Sequence, residues 1–434
     1  MKISRVLTLI CTFLCISAAF SAHADKHLTN TLDRLIQLHA PRANIAVYVK
    51  SMRHGDILYA HRIYQPLKPA STLKILTAEA ALLFLGPSYR FETQLLTDAR
   101  VIRGGVLQGN LYVILSGDPT FTYADLTNLL FALQTRAIRT ITGNLYIDET
   151  AYDKQFYGPG WKWRDKHFCY AAPISASIIN RNCPAFRVTP TSQSRSIAIL
   201  NGGAVVNDVA EYNRFLFKTA LRQLAIDLQG RILFQSVAAN AMVLNTHYSA
   251  PLATLINEML KKSDNVIAGA IFKKIGQSYT QQPGSWQTGR VAVTRILNKT
   301  SLINTKGIKI LDGSGLSPHN LTSSAQLMQA LDFAYHHQLL QQTLITSLPI
   351  SGIDGTLKHR MHAIARKIRA KTGTIAGVVA LAGFAESKNK EPLAFVIMIN
   401  GYKGWGARYK ALEDKIATAL TKYQRTPPNA ASSL

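Results

Sequence analysis

Carboxylates are scarce in this sequence: Asp and Glu together number 24 in 434 residues, against 49 Lys and Arg, for a formal net charge of +25. Such an excess points to an anionic polymer or surface as partner, either nucleic acid or the cell envelope. Charged residues of either sign make up only 17% of the chain and hydrophobic ones 47%, a globular balance that excludes disorder for most of its length. Beyond the N-terminus no run reaches the roughly 18 apolar residues that crossing a bilayer takes, which excludes a polytopic membrane protein. Cysteine is sparse as well, with four in all.

The N-terminus decides between the two kinds of partner. Lys2 and Arg5 precede an apolar run from Val6 to Phe20, and Ala22-His23-Ala24 supplies the small-x-small pattern of a signal peptidase site. Residues 1–24 therefore read as a signal peptide. The run is short and interrupted by Thr8, Thr12 and Ser17, which argues against a retained anchor, and Leu14 ahead of Cys15 gives no sign of lipidation. Loss of Lys2 and Arg5 takes the charge from +25 to +23. An exported, periplasmic protein of that charge meets anionic envelope surfaces and not nucleic acid. Cys11 and Cys15 leave with the signal. Cys169 and Cys183 remain, 14 positions apart, and are expected to close a disulfide in an oxidising compartment. Two free buried thiols are the alternative, and a metal site lacks ligands, with only His167 nearby.

Along the chain, Leu28, Leu32, Leu35 and Ile36 fall at helical spacing, and Asn44–Met52 and Ile57–Ile63 read as strands around an Arg53-His54-Gly55-Asp56 turn. An apolar helix runs from Ser71 to Phe84 and ends at Gly86-Pro87. Strand-like runs then follow at 90–96, 106–115, 138–147, 178–180, 185–188 and 196–200, with one helix at 123–134. Residues 88–208 are thus expected to form an inserted β-rich lobe in a discontinuous domain of 25–87 and 209–424. Helices are expected at 212–228 and 251–262, then three closely connected strands at 368–374, 378–385 and 393–400, and a last helix with Tyr409, Leu412, Ile416, Leu420 and Tyr423 on one face. That stripe is what packing on a sheet requires and does not indicate a membrane surface. The tail, 425–434, reads as disordered.

Ser71-Thr72-Leu73-Lys74 puts a hydroxyl and an amine three residues apart on one face at a helix start, so the amine can take the hydroxyl proton. Ser387-Lys388-Asn389-Lys390 repeats the pattern, but in a charged hairpin turn where no amine would lose its proton. A lysine acts as a base only when neutral, and its ordinary pKa of about 10.4 must fall through desolvation or a neighbouring positive charge. Ser263-Asp264-Asn265 lies at the break between two helices, and Lys371-Thr372-Gly373 on a strand. Singly, these two motifs read as a helix cap and an edge turn. Together with Ser-x-x-Lys, and in this order, they are the set of the serine acyl-transfer enzymes that react with penicillins.

The chain resembles the low-molecular-mass, class C penicillin-binding proteins of the penicillin-binding protein 4 type, D-alanyl-D-alanine carboxypeptidases and endopeptidases. Further similar segments are Gly117-Asp118-Pro119-Thr120, Gly158-Pro159-Gly160-Trp161-Lys162-Trp163, Asn180-Arg181-Asn182-Cys183, Asp312-Gly313-Ser314-Gly315-Leu316-Ser317 and Asp354-Gly355-Thr356-Leu357. The resemblance implies an α/β fold, with an antiparallel five-stranded sheet flanked by helices and a β-rich inserted lobe. It implies Ser71 as acylated nucleophile and Lys74 as its base. Ser263 would relay a proton to the leaving group, Asn265 would bind the substrate carbonyl, and Lys371 would orient Ser263. Thr372 and Thr374 beside Gly373 would hold the terminal carboxylate, and the backbone N–H groups of Ser71 and Thr374 would form an oxyanion hole. Asp165 would bind the free amine of a diaminopimelate side chain, although Arg164 stands where the family has an acid or amide. The implied substrates are peptidoglycan stem peptides, β-lactams are implied as covalent inhibitors, and no metal or cofactor is implied. A second inserted lobe looks reduced or missing.

Two readings compete. A class A β-lactamase uses a glutamate after the second motif to activate water, and no Glu occurs between Glu258 and Glu386. A non-catalytic wall-binding scaffold has no need of the intact set Ser71, Lys74, Ser263, Asn265 and Lys371.

Overall fold

The computed structural model describes residues 26–184, 186–190, 195–199, 204–404 and 406–425. The expected signal peptide and the tail beyond Arg425 lie outside the described residues. Helix α1 (Lys26–His39) buries Leu28, Leu32 and Ile36. It leads into the hairpin of β1 (Asn44–Ser51) and β2 (Ile57–His61). A short 3-10 turn, Ala70–Leu73, then feeds α2 (Lys74–Phe84). After the lobe come α3 (Leu252–Lys262) and α4 (Asn265–Thr280). The closing elements are β3 (Ile368–Ile375), β4 (Val378–Glu386), β5 (Pro392–Asn400) and α5 (Ala407–Lys422).

The five strands form one antiparallel sheet in the order β3-β4-β5-β1-β2. This is the expected architecture, and the sequence shows why. Strand β4 is apolar from Val378 to Ala385 because both its faces are covered: Val379 and Leu381 meet α1 and α5, while Ala380 and Ala382 face the α2 side. Leu412, Ile416 and Leu420 of α5 are fully buried there, each removing about 2 kcal/mol of apolar surface from water. On the other face the small side chains of Ala380 and Ala382 lie where the turn that starts α2 packs on β3 and β4. Among the described residues no helix is long and apolar enough to cross a membrane.

The lobe holds a second five-stranded sheet, in which Glu92–Thr97 lies between Leu111–Ile114 and the edge strand Met242–Tyr248. Helices Tyr123–Thr135 and Val209–Gln223 pack their apolar faces on the lobe's core. Two details differ from the sequence reading. The boundary expected at residue 208 falls inside this body: Asp227–Leu228, Ile232–Phe234 and Met242–Tyr248 add strands to its sheets, so the pairing runs on to Tyr248. The expected strand at 178–180 is instead the entry to a tight turn, where Asn180, Arg181 and Asn182 all have left-handed φ values of 49°, 61° and 50°. A correction applies to the tail as well. Arg425, its expected first residue, is anchored 2.9 Å from both Asp56 and Glu391 and fixes the chain end to two hairpin turns.

Candidate active site

The chain enters α2 through a constrained turn. Ala70 has φ of 46°, left-handed for a residue with a side chain, a conformation costing about 1–2 kcal/mol that the surroundings must impose. The loop Asp312–Ser317 presses on it: Gly315, itself at φ 82°, lies so close that a Cβ there would sit 1.9 Å from the Ala70 carbonyl oxygen. Asp312 shapes this loop by accepting from the backbone N–H groups of Gly315 and Ser317, each at 2.7 Å, and from Trp161 Nε1 at 2.7 Å. The Ser314 carbonyl is thereby aimed at Lys74.

Lys74 Nζ lies 2.9 Å from Ser71 Oγ, 2.6 Å from Asn265 Oδ1 and 2.7 Å from the Ser314 carbonyl. It is fully buried. Burial lowers its pKa to about 7, although the Asp312 and Asp264 carboxylates pull the other way. A buried amine near neutrality beside a serine hydroxyl is a proton acceptor for it. Of the two causes the sequence argument allowed, desolvation is the one at work on Lys74, and it outweighs both carboxylates. Lys371 is held well below its ordinary range by burial first and by Lys74 second.

The second motif sits where α3 stops. Ser263 ends α3 with a left-handed φ of 58°, and Asp264 caps α4 by accepting from the Ile267 N–H at 2.8 Å. The capping role and the chemical one therefore coexist. Lys371 Nζ donates to Ser263 Oγ at 2.8 Å and to the Thr372 carbonyl at 2.7 Å. The Asn265 amide is used at both ends, its Oδ1 toward Lys74 and its Nδ2 donating to the Tyr170 carbonyl at 2.9 Å. Asp264 is ion-paired with Arg181 of the left-handed turn. Tyr170 and Arg181 lie within the segment bounded by Cys169 and Cys183, whose Cα atoms are 5.5 Å apart, within disulfide range.

Strand β3 forms the third wall. Its outer edge is covered as far as Ala370, whose N–H donates to the Pro349 carbonyl at 2.9 Å. Backbone groups alternate along an antiparallel strand, so those of Thr372 and Thr374 face the same edge, where no described segment pairs with them. Gly373 brings this strand onto the serine turn, since a Cβ there would meet the Pro69 carbonyl oxygen at 2.9 Å and the Ser71 nitrogen at 3.1 Å. Thr372 Oγ1 donates to Thr356 Oγ1 at 2.7 Å, and Thr374 is exposed.

The five candidate catalytic residues thus meet in two hydrogen-bonded groups that β3 and α2 bring together. Asp165 makes no hydrogen bond to them. Its Oδ1 lies 3.9 Å from Arg164 Nε in a loose pair, Arg164 being 75% exposed. Burial and the Asp165 carboxylate raise the Tyr170 phenol. Ser314, Arg181, Thr356 and Tyr170 carry contacts that motif reading assigned to none of them. The first three lie in the further segments that resemble the family, which was the one signal for them.

A family model, D-Ala-D-Ala carboxypeptidase 3 (S13), matches residues 28–205 and 195–423. The chain belongs to this family. The D-Ala-D-Ala carboxypeptidase (S13) assignment agrees with a D-alanyl-D-alanine carboxypeptidase of Haemophilus influenzae that is 31% identical over 92% of this chain and 94% of that protein. The crystal structure of penicillin binding protein 4 from Haemophilus influenzae superposes with a TM-score of 0.83 at 30% identity, covering 90% of this chain and 99% of that one. A second crystal structure of that protein, in complex with a β-lactam, gives a TM-score of 0.77 at 28% identity, over 91% of this chain and 100% of that one. The peptidase S13 fold of this chain is therefore the β-lactamase-like serine peptidase fold with its inserted lobe.

Proposed function

We propose that the protein is an exported serine D-alanyl-D-alanine carboxypeptidase and DD-endopeptidase acting on peptidoglycan in the periplasm. The observation that carries this reading is the buried Lys74 amine, with a pKa near 7, placed 2.9 Å from Ser71 Oγ. In the proposed mechanism Lys74 takes the Ser71 proton as Oγ attacks the carbonyl carbon of the penultimate D-alanine. The developing oxyanion lies between the backbone N–H groups of Ser71 and Thr374. Asn265 orients the acyl part of the substrate, and the Thr372 and Thr374 hydroxyls hold the carboxylate of the leaving group. Collapse breaks the C–N bond, and Ser263, oriented by Lys371, passes the proton from Lys74 to the departing amine. Water then attacks the ester, with Lys74 again accepting the proton, and Ser71 is restored. The leaving group is D-alanine in carboxypeptidase turnover and a second stem peptide when a D-Ala–diaminopimelate cross-link is opened.

The same reading includes a removed signal peptide at 1–24, a Cys169–Cys183 disulfide formed after export, Asp165 as partner of a diaminopimelate amine, β-lactams as covalent inhibitors, and a basic surface that retains the protein on anionic envelope polymers. Intact-mass spectrometry after exposure to benzylpenicillin tests it. One penicilloyl adduct on the wild type and none on Ser71→Ala is the expected result. A folded wild type with no adduct would leave a binding scaffold, and drug turnover without a lasting adduct would indicate a β-lactamase.

A further inference from the structure

The segment between Asp354 and Glu386 contains six Lys and Arg and no carboxylate. Its first part is a loop that leaves the active site at Thr356, bonded to Thr372 at 2.7 Å, and rejoins the sheet at Ile368. The loop is firmly fixed from within. Leu357 is fully buried, and Met361 and Ile364 pack on the core shared with α1 and α5. Arg360 turns inward to Glu413 at 2.9 Å and Asp414 at 2.7 Å. Ser351 Oγ donates to the Ile364 carbonyl at 2.8 Å, and the Arg366 N–H donates to the Ser351 carbonyl at 3.0 Å. Lys358, Arg366 and Lys367 are exposed, together with His359 and His362. The ion pairs among the described residues include none of these three cations, whereas Lys50, Lys261, Lys262 and Lys273 each have a carboxylate partner.

Three exposed cations on an ordered backbone thus have no carboxylate partner among the described residues. The position of Lys358 says what the loop faces. In the proposed mechanism the Thr372 hydroxyl holds the carboxylate of the leaving group, so the loop starts on the leaving-group side of the scissile bond. Lys358 follows Thr356 by two residues, which puts its Cα at most about 7 Å further on. For a carboxypeptidase that side holds a single D-alanine and ends there. For an endopeptidase it continues into a second stem peptide, which carries further carboxylates on its glutamate and its C-terminal residue.

We propose that Lys358, Arg366 and Lys367 form the docking surface for the second, anionic stem peptide of a cross-link, and so favour endopeptidase over carboxypeptidase turnover. The inference rests on the peptidase reading above. It predicts that the cations act on one substrate and leave the other untouched.

The experiment compares wild type with the triple variant Lys358→Gln/Arg366→Gln/Lys367→Gln and with the charge-conserving Lys358→Arg/Arg366→Lys/Lys367→Arg. The substrates are a purified D-Ala–diaminopimelate cross-linked peptide dimer and an uncross-linked pentapeptide. In the Gln variant kcat/KM for the dimer is expected to fall about tenfold, mainly through KM, as the loss of three exposed charge contacts implies. Pentapeptide turnover and benzylpenicillin acylation should stay within about twofold, which also shows that the variant folds. The charge-conserving variant should restore dimer cleavage, and added salt should bring wild type down to the Gln variant. An equal fall on both substrates, or no fall on the dimer, overturns the proposal. So does a variant that loses only its retention on phosphatidylglycerol vesicles. A wild type that benzylpenicillin does not acylate and that cleaves neither substrate refutes the peptidase reading itself, a different outcome from any of these.

Discussion

The Asn265 side-chain amide donates to the Tyr170 carbonyl at 2.9 Å while its next neighbour, Asp264, is paired with Arg181. Both contacts come from one segment whose ends are Cys169 and Cys183, so the lobe grips the second motif from two sides. Arg181→Ala should release one grip. Acylation by benzylpenicillin is expected to slow between about tenfold and a hundredfold through misplacement of Ser263 and Asn265, with partial rescue by Arg181→Lys. Cys169→Ser/Cys183→Ser should act on the same motif and in addition lower stability by about 3 kcal/mol, the chain-entropy value for so short a loop. Denaturant unfolding beside acylation kinetics separates the two effects. Unchanged acylation in both variants would mean that the second motif holds itself.

The acylation rate should also carry the signature of Lys74. Only its neutral form accepts the Ser71 proton, so the second-order rate constant is expected to rise about tenfold per pH unit in acid and level off above a midpoint near 7. Lys74→Met should abolish it. Stability moves the other way under this substitution. Between pH 7 and 10.5 the unfolded chain holds a proton on Lys74 that the folded one lacks, so wild-type stability rises with pH across that window and is penalised below it. Lys74→Met should lose the slope and be the more stable protein at pH 7 in thermal melts. A flat pH profile for acylation would remove Lys74 as the base.

The chemical motifs were legible because each needs particular side chains at fixed spacings, and the central sheet because β4 is apolar from Val378 to Ala385. Much of the rest was legible only in part. The runs 106–115 and 138–147 each look like one strand and are two, at Val106–Leu107 with Leu111–Ile114 and at Thr140–Ile141 with Leu145–Asp148. In each, the chain turns from one lobe sheet to the other at a polar, glycine-centred triplet, Gln108-Gly109-Asn110 and Thr142-Gly143-Asn144, too short to separate the strands in a run read as one. The lobe boundary was misplaced because the helix Val209–Gln223 looks the same from sequence whichever body it packs on. Ser314 was missed for a different reason: it serves Lys74 with its carbonyl, a group every residue has, from 240 positions away. Arg181 and Thr356 act through their side chains on partners 83 and 16 positions away, and no local pattern announces either partner.

Glu79, on α2 beyond Lys74, has both carboxyl oxygens buried with no hydrogen-bond partner among the described residues. Burial raises its pKa to about 8, outweighing the nearby Ser301 hydroxyl. The folded protein therefore keeps a proton that the unfolded chain gives up near pH 4.5. Its contribution to stability is complete below that pH and is lost, at about 1.4 kcal/mol per pH unit, as pH rises toward 8. Glu79→Gln should remove this slope, so the variant gains on wild type from pH 5 to pH 8 in denaturant titrations, with acylation little changed. Equal slopes would show that the carboxylate is ionised and paired in solution.

Gly373 provides the most direct test of how tightly β3 must approach the nucleophile. A methyl group there would meet the Pro69 carbonyl oxygen at 2.9 Å, the Ala70 Cβ at 3.1 Å and the Ser71 nitrogen at 3.1 Å. Two of these are backbone atoms of the turn that presents Ser71, so they cannot swing aside as a flexible side chain would. The strand itself is held by β4 along its whole length. Gly373→Ala must therefore push the serine turn and the Thr374 N–H apart, opening the oxyanion hole while leaving the sheet paired. Acylation is expected to fall by about a hundredfold or more, against a loss of only about 1–3 kcal/mol in folding stability, the usual range for one added methyl in a filled site. Acylation kinetics and thermal melts on the same preparation read both numbers. A variant that keeps its acylation rate would mean that β3 and the Ser71 turn can separate without harm, and that the oxyanion donors lie elsewhere.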